Sequence, residues 1–201
     1  MHNPKRLLFH VTAYLSIVPH YAQGPYLLEL LEIGRCPANE VGHVGDDITV
    51  DAKLYHNRSM GSGTVYSGVA TVKNNSFARG ATTMKVDLAK WDPVSGWREH
   101  FLVMPAGESC FVMEDLATDL FKLFREIVVE EFPKKCPIPD GAYHVNNAFM
   151  NLGQFNHFPA LPYGRFRGHV LGYHLRTPSV KTPRLCIRVV LNVHPKVKRA
   201  N

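Results

Sequence analysis

Acidic residues all but vanish from the last third of this chain. Residues 134–201 hold eleven Lys and Arg against Asp140 alone, whereas residues 25–133 hold ten against sixteen Asp and Glu. The formal net charge is +6. Such a basic third fits either a solvated face or a surface that meets anionic lipid headgroups, sialylated glycans or an acidic partner. No recognition helix or RNA-binding signature accompanies it, which argues against nucleic acid. Catalytic signatures are also missing: there is no Gly-x-Ser-x-Gly elbow, no His-Glu-x-x-His helix and no phosphate loop. His169 and His174 lie five apart on an extended pattern and point to opposite faces, a poor metal pair. His144 and His157 are scattered, and the adjacent acids Asp46 and Asp47 diverge in extended chain. Neither a catalytic site nor a metal or cofactor site is expected.

Long hydrophobic runs are absent too. The apolar stretch "LLFHVTAYLSIV" (7–18) falls short of the roughly 20 residues that cross a bilayer as a helix, and nothing later is longer. It follows Lys5 and Arg6 and precedes the small residues Ala22 and Gly24, the order of a secretory leader. Residues 1–24 are expected to be removed on export, leaving 25–201 as one domain with a sizeable core. Neither linker nor repeat divides it. Four cysteines, an even number, suggest two disulfides in an exported chain. Two acceptor triplets for N-glycosylation, at Asn57 and Asn74, agree with export.

What is there is mostly strand. "ITVDAKLY" (48–55) puts Ile48, Val50, Ala52 and Leu54 on one face and Thr49, Asp51 and Lys53 on the other. Segments 26–33, 64–73, 82–91, 97–103, 142–149, 166–176 and 184–193 carry the same extended signature between Gly, Pro and Asn turns. Period-2 runs so spaced predict an antiparallel sandwich or barrel. One segment breaks the pattern. Met113, Leu116, Ala117, Leu120, Phe124, Ile127 and Val128 recur at helical steps, Phe121 and Phe132 widen the apolar arc, and Pro133 is the expected stop. Periodicity alone assigns that stripe to ordinary core.

Cys110 and Cys136 flank this helix. An 18-residue helix would be about 27 Å long, while bridged Cα atoms lie within about 7 Å. A bridge across it therefore needs flanks that fold back, or a helix shorter than its pattern. Of the three connectivities, spacing selects none.

Three segments carry a resemblance: "KCPIPDGAYHV" (135–145), "LPYGRFRGHVL" (161–171) and "PRLCIRVVLNV" (183–193). Their pattern, Cys136, Pro137, Gly141 and Tyr143, then Pro162, Gly164, Arg165 and Phe166, then Cys186, is similar to the ML-type lipid-recognition family. It resembles the ganglioside-activator branch and, closest, the insect chemosensory B (CheB) proteins. "GWREHFLV" with Trp97 and Phe101, and a Glu-rich first strand before Cys36, resemble the latter in particular.

The resemblance implies a mainly β fold, an immunoglobulin-like antiparallel sandwich opened into a cup, with the helix walling an apolar cavity. Cavity residues would be Leu120, Phe121, Phe124, Ile127, Val128, Phe149, Tyr173, Ile187 and Val189. The loop "NLGQFNHFPALPYG" (151–164) would supply a rim of Phe155, Phe158, Leu161 and Tyr163, exposed to ligand or membrane or else folded back as a plug. The family's shared bridges map to Cys36–Cys186 and Cys110–Cys136. The chain lacks the extra cysteines that staple the mouth in ganglioside activators, which sets it nearer the chemosensory group. By that likeness it is a secreted carrier of a hydrophobic small molecule or lipid, a pheromone or cuticular hydrocarbon, in insect taste sensilla, and its partners are a chemosensory receptor or channel and an anionic membrane surface. The alternatives are a non-enzymatic co-receptor or activator that docks another protein, and a glycolipid transfer protein.

Overall fold

The computed structural model describes residues 23–56, 64–149, 160–177 and 181–196. Its elements run β1 (Gln23–Gly24), β2 (Tyr26–Arg35), α1 (Ala38–Val41), β3 (Ile48–His56), β4 (Thr64–Val72), β5 (Thr82–Asp92) and β6 (Gly96–Glu108), then α2 (Ser109–Phe111), a wide π turn (Val112–Leu116), α3 (Thr118–Ile127), β7 (Gly141–Phe149), β8 (Leu161–Pro162), β9 (Gly164–His174) and β10 (Leu185–Pro195). The fold is mainly β, as the alternation requires. Eight strands share one hydrogen-bonded sheet that does not close, in the order β6-β5-β9-β10-β3-β4-β7, with β2 also on β10. β1 and β8 form a separate two-stranded ladder.

The sheet divides at β10 into two leaves. β6, β5, β9, β10 and β2 pair antiparallel in the larger leaf, and β3, β4 and β7 do so in the smaller. One ladder pair joins the leaves, Leu185 to Ile48, and it is parallel, so the sheet is mixed rather than purely antiparallel. The inner faces meet there. Ile48 and Val72 from the smaller leaf, Leu185 from the larger, and Phe77, Met113, Phe121, Ile138 and Tyr143 close into one buried cluster.

The expected single helix is three pieces. Ala117 carries φ −114° and ψ 34°, outside helical values, and separates the π turn from α3. Two pulls account for the break. The Thr118 hydroxyl donates back to the Glu114 carbonyl at 3.0 Å, competing with the regular ladder. The Glu114 carboxylate meanwhile holds Arg79 through both oxygens, each at 2.8 Å, and the Cys136 amide at 2.7 Å. α3 also stops at Ile127, well before Pro133. Val128 turns extended and bridges Val145 of β7, and the Val129 amide donates to His144. Strand pairing ends the helix where proline was expected to. The 10-residue α3 spans about 15 Å, which removes the geometric difficulty at the Cys110–Cys136 bridge, whose Cα atoms are 5.6 Å apart. The second disulfide joins Cys36 to Cys186. Both pairings are those the resemblance implied.

An open apolar band as the candidate functional site

β10 sets the coordinates of the interior. Leu185 and Val193, at its two ends, are 1% and 4% exposed and belong to two different buried clusters. The second cluster is Tyr26, Phe166 and Val193, with Leu28, Phe101, Leu161, Tyr163 and Leu191 packed against it. Between the two, the same face of β10 presents Ile187 and Val189, and both are only partly buried. Their neighbours across the ladders are Val170 and Gly168 on β9, then Val86 and Leu88 on β5. Val50, Ala52 and Leu54 occupy the corresponding face of β3. The six side chains among these are partly exposed, and Gly168, between Leu88 and Val189, is buried. Mid-strand aliphatics on the inner faces of a packed sandwich are ordinarily sealed.

The outer face of the same strands is the reverse. Arg167, His169, Cys186 and Val190 are 8%, 8%, 5% and 2% exposed. Helix α1, which follows the Cys36–Cys186 disulfide, brings Glu40 onto this face. That carboxylate meets His169 Nε2 at 2.7 Å, Arg188 Nε at 3.2 Å and Arg167 Nη1 at 3.3 Å. Arg167 also binds Glu99, and Arg188 binds Glu32. The Arg167 Nε has no hydrogen-bond acceptor among the described residues; its guanidinium stacks 4.9 Å from the centre of the Trp97 ring, which supplies a cation–π contact instead. Burial works to raise the Glu40 carboxyl, but the His169 hydrogen bond and the charges of Arg167 and Arg188 outweigh it and hold it below the usual carboxylate range. Two of the eleven cations of the last third, Arg167 and Arg188, are thus spent inside the molecule on acids from the first two thirds. Arg184 continues the pattern, binding Asp47 at 2.5 Å in a pair with both side chains mostly buried.

The residues expected to line a cavity are split. Phe121 is 3% exposed and is plain core. Phe124, Val128 and Ile187 pack partly buried against its cluster, and Leu120, Ile127 and Val189 are partly buried as well. Two expectations are overturned. Tyr173 lies on the outer face of β9 by the strict alternation from Val170 and Gly172, and burial followed by the nearby Asp87 charge raises its phenol. Phe149, paired with Val65 on the outer register of β7, is 52% exposed. Of the rim, Leu161 and Tyr163 pack on the second cluster, and the Tyr163 hydroxyl donates to the Pro25 carbonyl at 3.3 Å. Phe155 and Phe158 lie outside the described residues, as does Asn57. Asn74 is exposed in a turn at φ 55°, its amide donating to Asp47 at 2.6 Å.

Three features carried no readable signal. Helix α1 is a single turn without periodicity. The partner of Tyr66 is a backbone carbonyl, Leu30, reached across the leaves at 3.2 Å; burial, then the charge of Glu29, pushes this phenol up to about 12. A polar hollow of about 590 Å³ lies at the end of β3, β9 and β10, walled by Asp47, Asn74, Asn75, His174, Arg176 and Arg184 with Ala78 and Ala81. It shares no residue with the apolar band. His169 and His174 do sit on opposite faces of β9, and no group of three potential metal ligands occurs among the described residues. No helix among them is long and apolar enough to cross a membrane.

No protein-family model matches the sequence, and no curated protein matches it.

Proposed function

We propose that the protein is a secreted, non-enzymatic carrier whose sandwich holds the apolar part of a hydrophobic ligand along the band between its two clusters. The inverted burial carries this reading. Arg167 and His169 on the charged face of β9 are buried under contacts from Glu40 of α1 and, for Arg167, Trp97, while aliphatics on the apolar face of the same strands stay partly exposed, the opposite of what stability alone favours. An acyl or hydrocarbon chain would bury Ile187, Val189, Val170 and Leu88 without a polar partner, as apolar pockets do. The resemblance to chemosensory B proteins supports a chemosensory ligand, a pheromone or cuticular hydrocarbon. The two disulfides agree with an exporting cell, and Asn57 and Asn74 are the positions for sugar.

Gly168 gives the test. A Cβ built there meets only Leu88 Cδ2 at 3.0 Å, the movable end of a partly exposed side chain, and Val189 O at 4.0 Å. Gly168→Leu should fill the band, leave thermal stability unchanged or higher, and weaken binding of a fluorescent fatty-acid probe by about tenfold or more. In a fully packed sandwich the same change would cost about 1–3 kcal/mol. A destabilised variant together with a wild type that takes up no apolar probe and purifies without lipid would refute the carrier reading. A docking module would then be the better account.

A further inference from the structure

The inner face of β5 ends on a charge. Val86 and Leu88 belong to the apolar band, and the next residue on that face is Lys90, opposite Phe166 in an unbroken β5–β9 register. Its ammonium lies 5.5 Å from the centre of the Phe101 ring and 5.7 Å from that of Phe166, at the second cluster. The stem is confined as well: Gly164 takes φ 133°, and a Cβ built there would come within 3.3 Å of Lys90 Cε. Lys90 is thus a held side chain, engaged within the chain and only partly exposed. Lysines ordinarily lay the stem on apolar surface and carry the ammonium out to water. Here burial, followed by the charge of Arg98 across the ladder, holds the ammonium below the usual lysine range.

The two ends of the band differ. Met84, the residue before Val86 on the same face, is 7% exposed, and Leu185 on the same rung of β10 is 1% exposed, so that end closes on apolar core. The other end has Lys90, Phe166 and Leu191 on one rung. From Val86 to Lys90 the lane runs about 13 Å. A chain lying along it reaches the charge with one end only, which fixes both its direction and the chemistry of that end. A hydrocarbon end would take still more water from the ammonium and raise the cost of its charge. A carboxylate would instead add a charge-assisted hydrogen bond to the ring contacts, in surroundings where such bonds are strong.

We propose that the ligand of the band is a long-chain carboxylic acid bound as its anion, with its tail toward Met84 and Leu185 and its carboxylate on Lys90 Nζ. The inference rests on the carrier reading and names the head group that its ligand carries.

Displacement of the neutral probe N-phenylnaphthylamine from the purified protein tests it, with hexadecanoic acid, hexadecanol and methyl hexadecanoate as competitors at neutral pH. The acid should compete about tenfold or more better than the alcohol or the ester, the worth of a hydrogen bond between charged groups. Lys90→Met, which keeps the length of the stem and removes the charge, should weaken acid binding about tenfold and erase that preference, whereas Lys90→Arg should retain it. Acid bound by wild type no better than alcohol overturns the proposal without recourse to any variant, and leaves the carrier reading standing. A preference that survives in a Lys90→Met protein melting like wild type overturns it too, since the carboxylate would then sit elsewhere. A wild type that takes up neither the probe nor any competitor fails at the carrier reading itself, and the proposal falls with it.

Discussion

Replacing Glu40 by Gln removes one charge and almost no volume from the centre of the cluster under α1. Two guanidiniums, of Arg188 and Arg167, and the His169 imidazole lie within 3.3 Å of that carboxylate. Their side chains are 15%, 9% and 10% exposed, and that of Glu40 is 18% exposed. Arg167 keeps Glu99 and Arg188 keeps Glu32, both acids half-exposed, so the substitution leaves a partly compensated cluster rather than bare charge. Breaking a buried pair by removing one partner costs about 3–5 kcal/mol, and the remaining acids place this case near the lower end, at about 3 kcal/mol. The pH dependence is a second handle. A carboxyl whose folded pKa lies below its unfolded value, about 4.3 for glutamate, contributes stability that is fully present above that value and is lost as pH falls through the folded value. Wild type and Glu40→Gln should therefore differ by the full amount at neutral pH and converge in acid, below about pH 4. Urea unfolding followed by far-ultraviolet circular dichroism across that range measures both. A difference below about 1 kcal/mol at neutral pH, flat with pH, would mean the cluster behaves as a screened surface network and would refute the buried role given to Glu40.

The remaining expectations concern the other two supports of the interior. Phe124 touches the first cluster but is only partly buried, so Phe124→Ala should cost clearly less than the about 3–5 kcal/mol of a fully packed phenylalanine while weakening apolar-probe binding; Phe121→Ala, from the 3% exposed neighbour, should cost the full amount in chemical denaturation. Replacing both cysteines of a bridge by alanine should cost about 5 kcal/mol for Cys36–Cys186, separated by 150 residues, and about 3.5 kcal/mol for Cys110–Cys136, separated by 26, in the chain-entropy view. The reverse order would mean that the short bridge, beside the π turn and the Glu114 clamp, supports native packing rather than merely shortening the unfolded chain.

Strands were legible because a two-residue period leaves no alternative. The pattern Ile48, Val50, Ala52, Leu54 reappears as the inner face of β3, and Leu185, Ile187, Val189, Leu191, Val193 as that of β10, each strand within a few residues of its expected limits. The helix was legible as an apolar stripe but not in length. Nothing local in "FREIVVEEF" announces that Val128 will pair with Val145, a contact decided by an edge strand arriving later in the chain. Tyr173 and Phe149 were misplaced for a related reason. Both are large and apolar, but face is set by register, and Tyr173 is one residue out of phase with Val170 and Gly172.

The cluster around Glu40 was illegible in a more instructive way. Its members sit at positions 32, 40, 99, 167, 169 and 188, so no window of sequence contains them. What the sequence did show was their imbalance, sixteen acids before residue 134 and one after. Read along the chain, that asymmetry pointed outward, to a partner or a membrane. In the fold part of it points inward, because β9 and β10 carry Arg167 and Arg188 to the centre of a leaf whose flanking elements, β2, α1 and β6, bring the acids. A leaf that settles its charges on one face is free to leave its other face incompletely filled, since the ion pairs and the two disulfides hold the strands without requiring a continuous apolar core between them. Stability and vacancy are then assigned to opposite faces of the same strands. Gly168 lies between Arg167 and His169, both partners of Glu40, so additivity is not given by distance. If the two faces are nevertheless independent, Gly168→Leu and Glu40→Gln should add within about 0.5 kcal/mol in unfolding free energy in the double variant. Strong coupling between them would mean that α1 and the apolar band belong to one packed unit, and that the openness of the inner face is not a property the outer face makes possible.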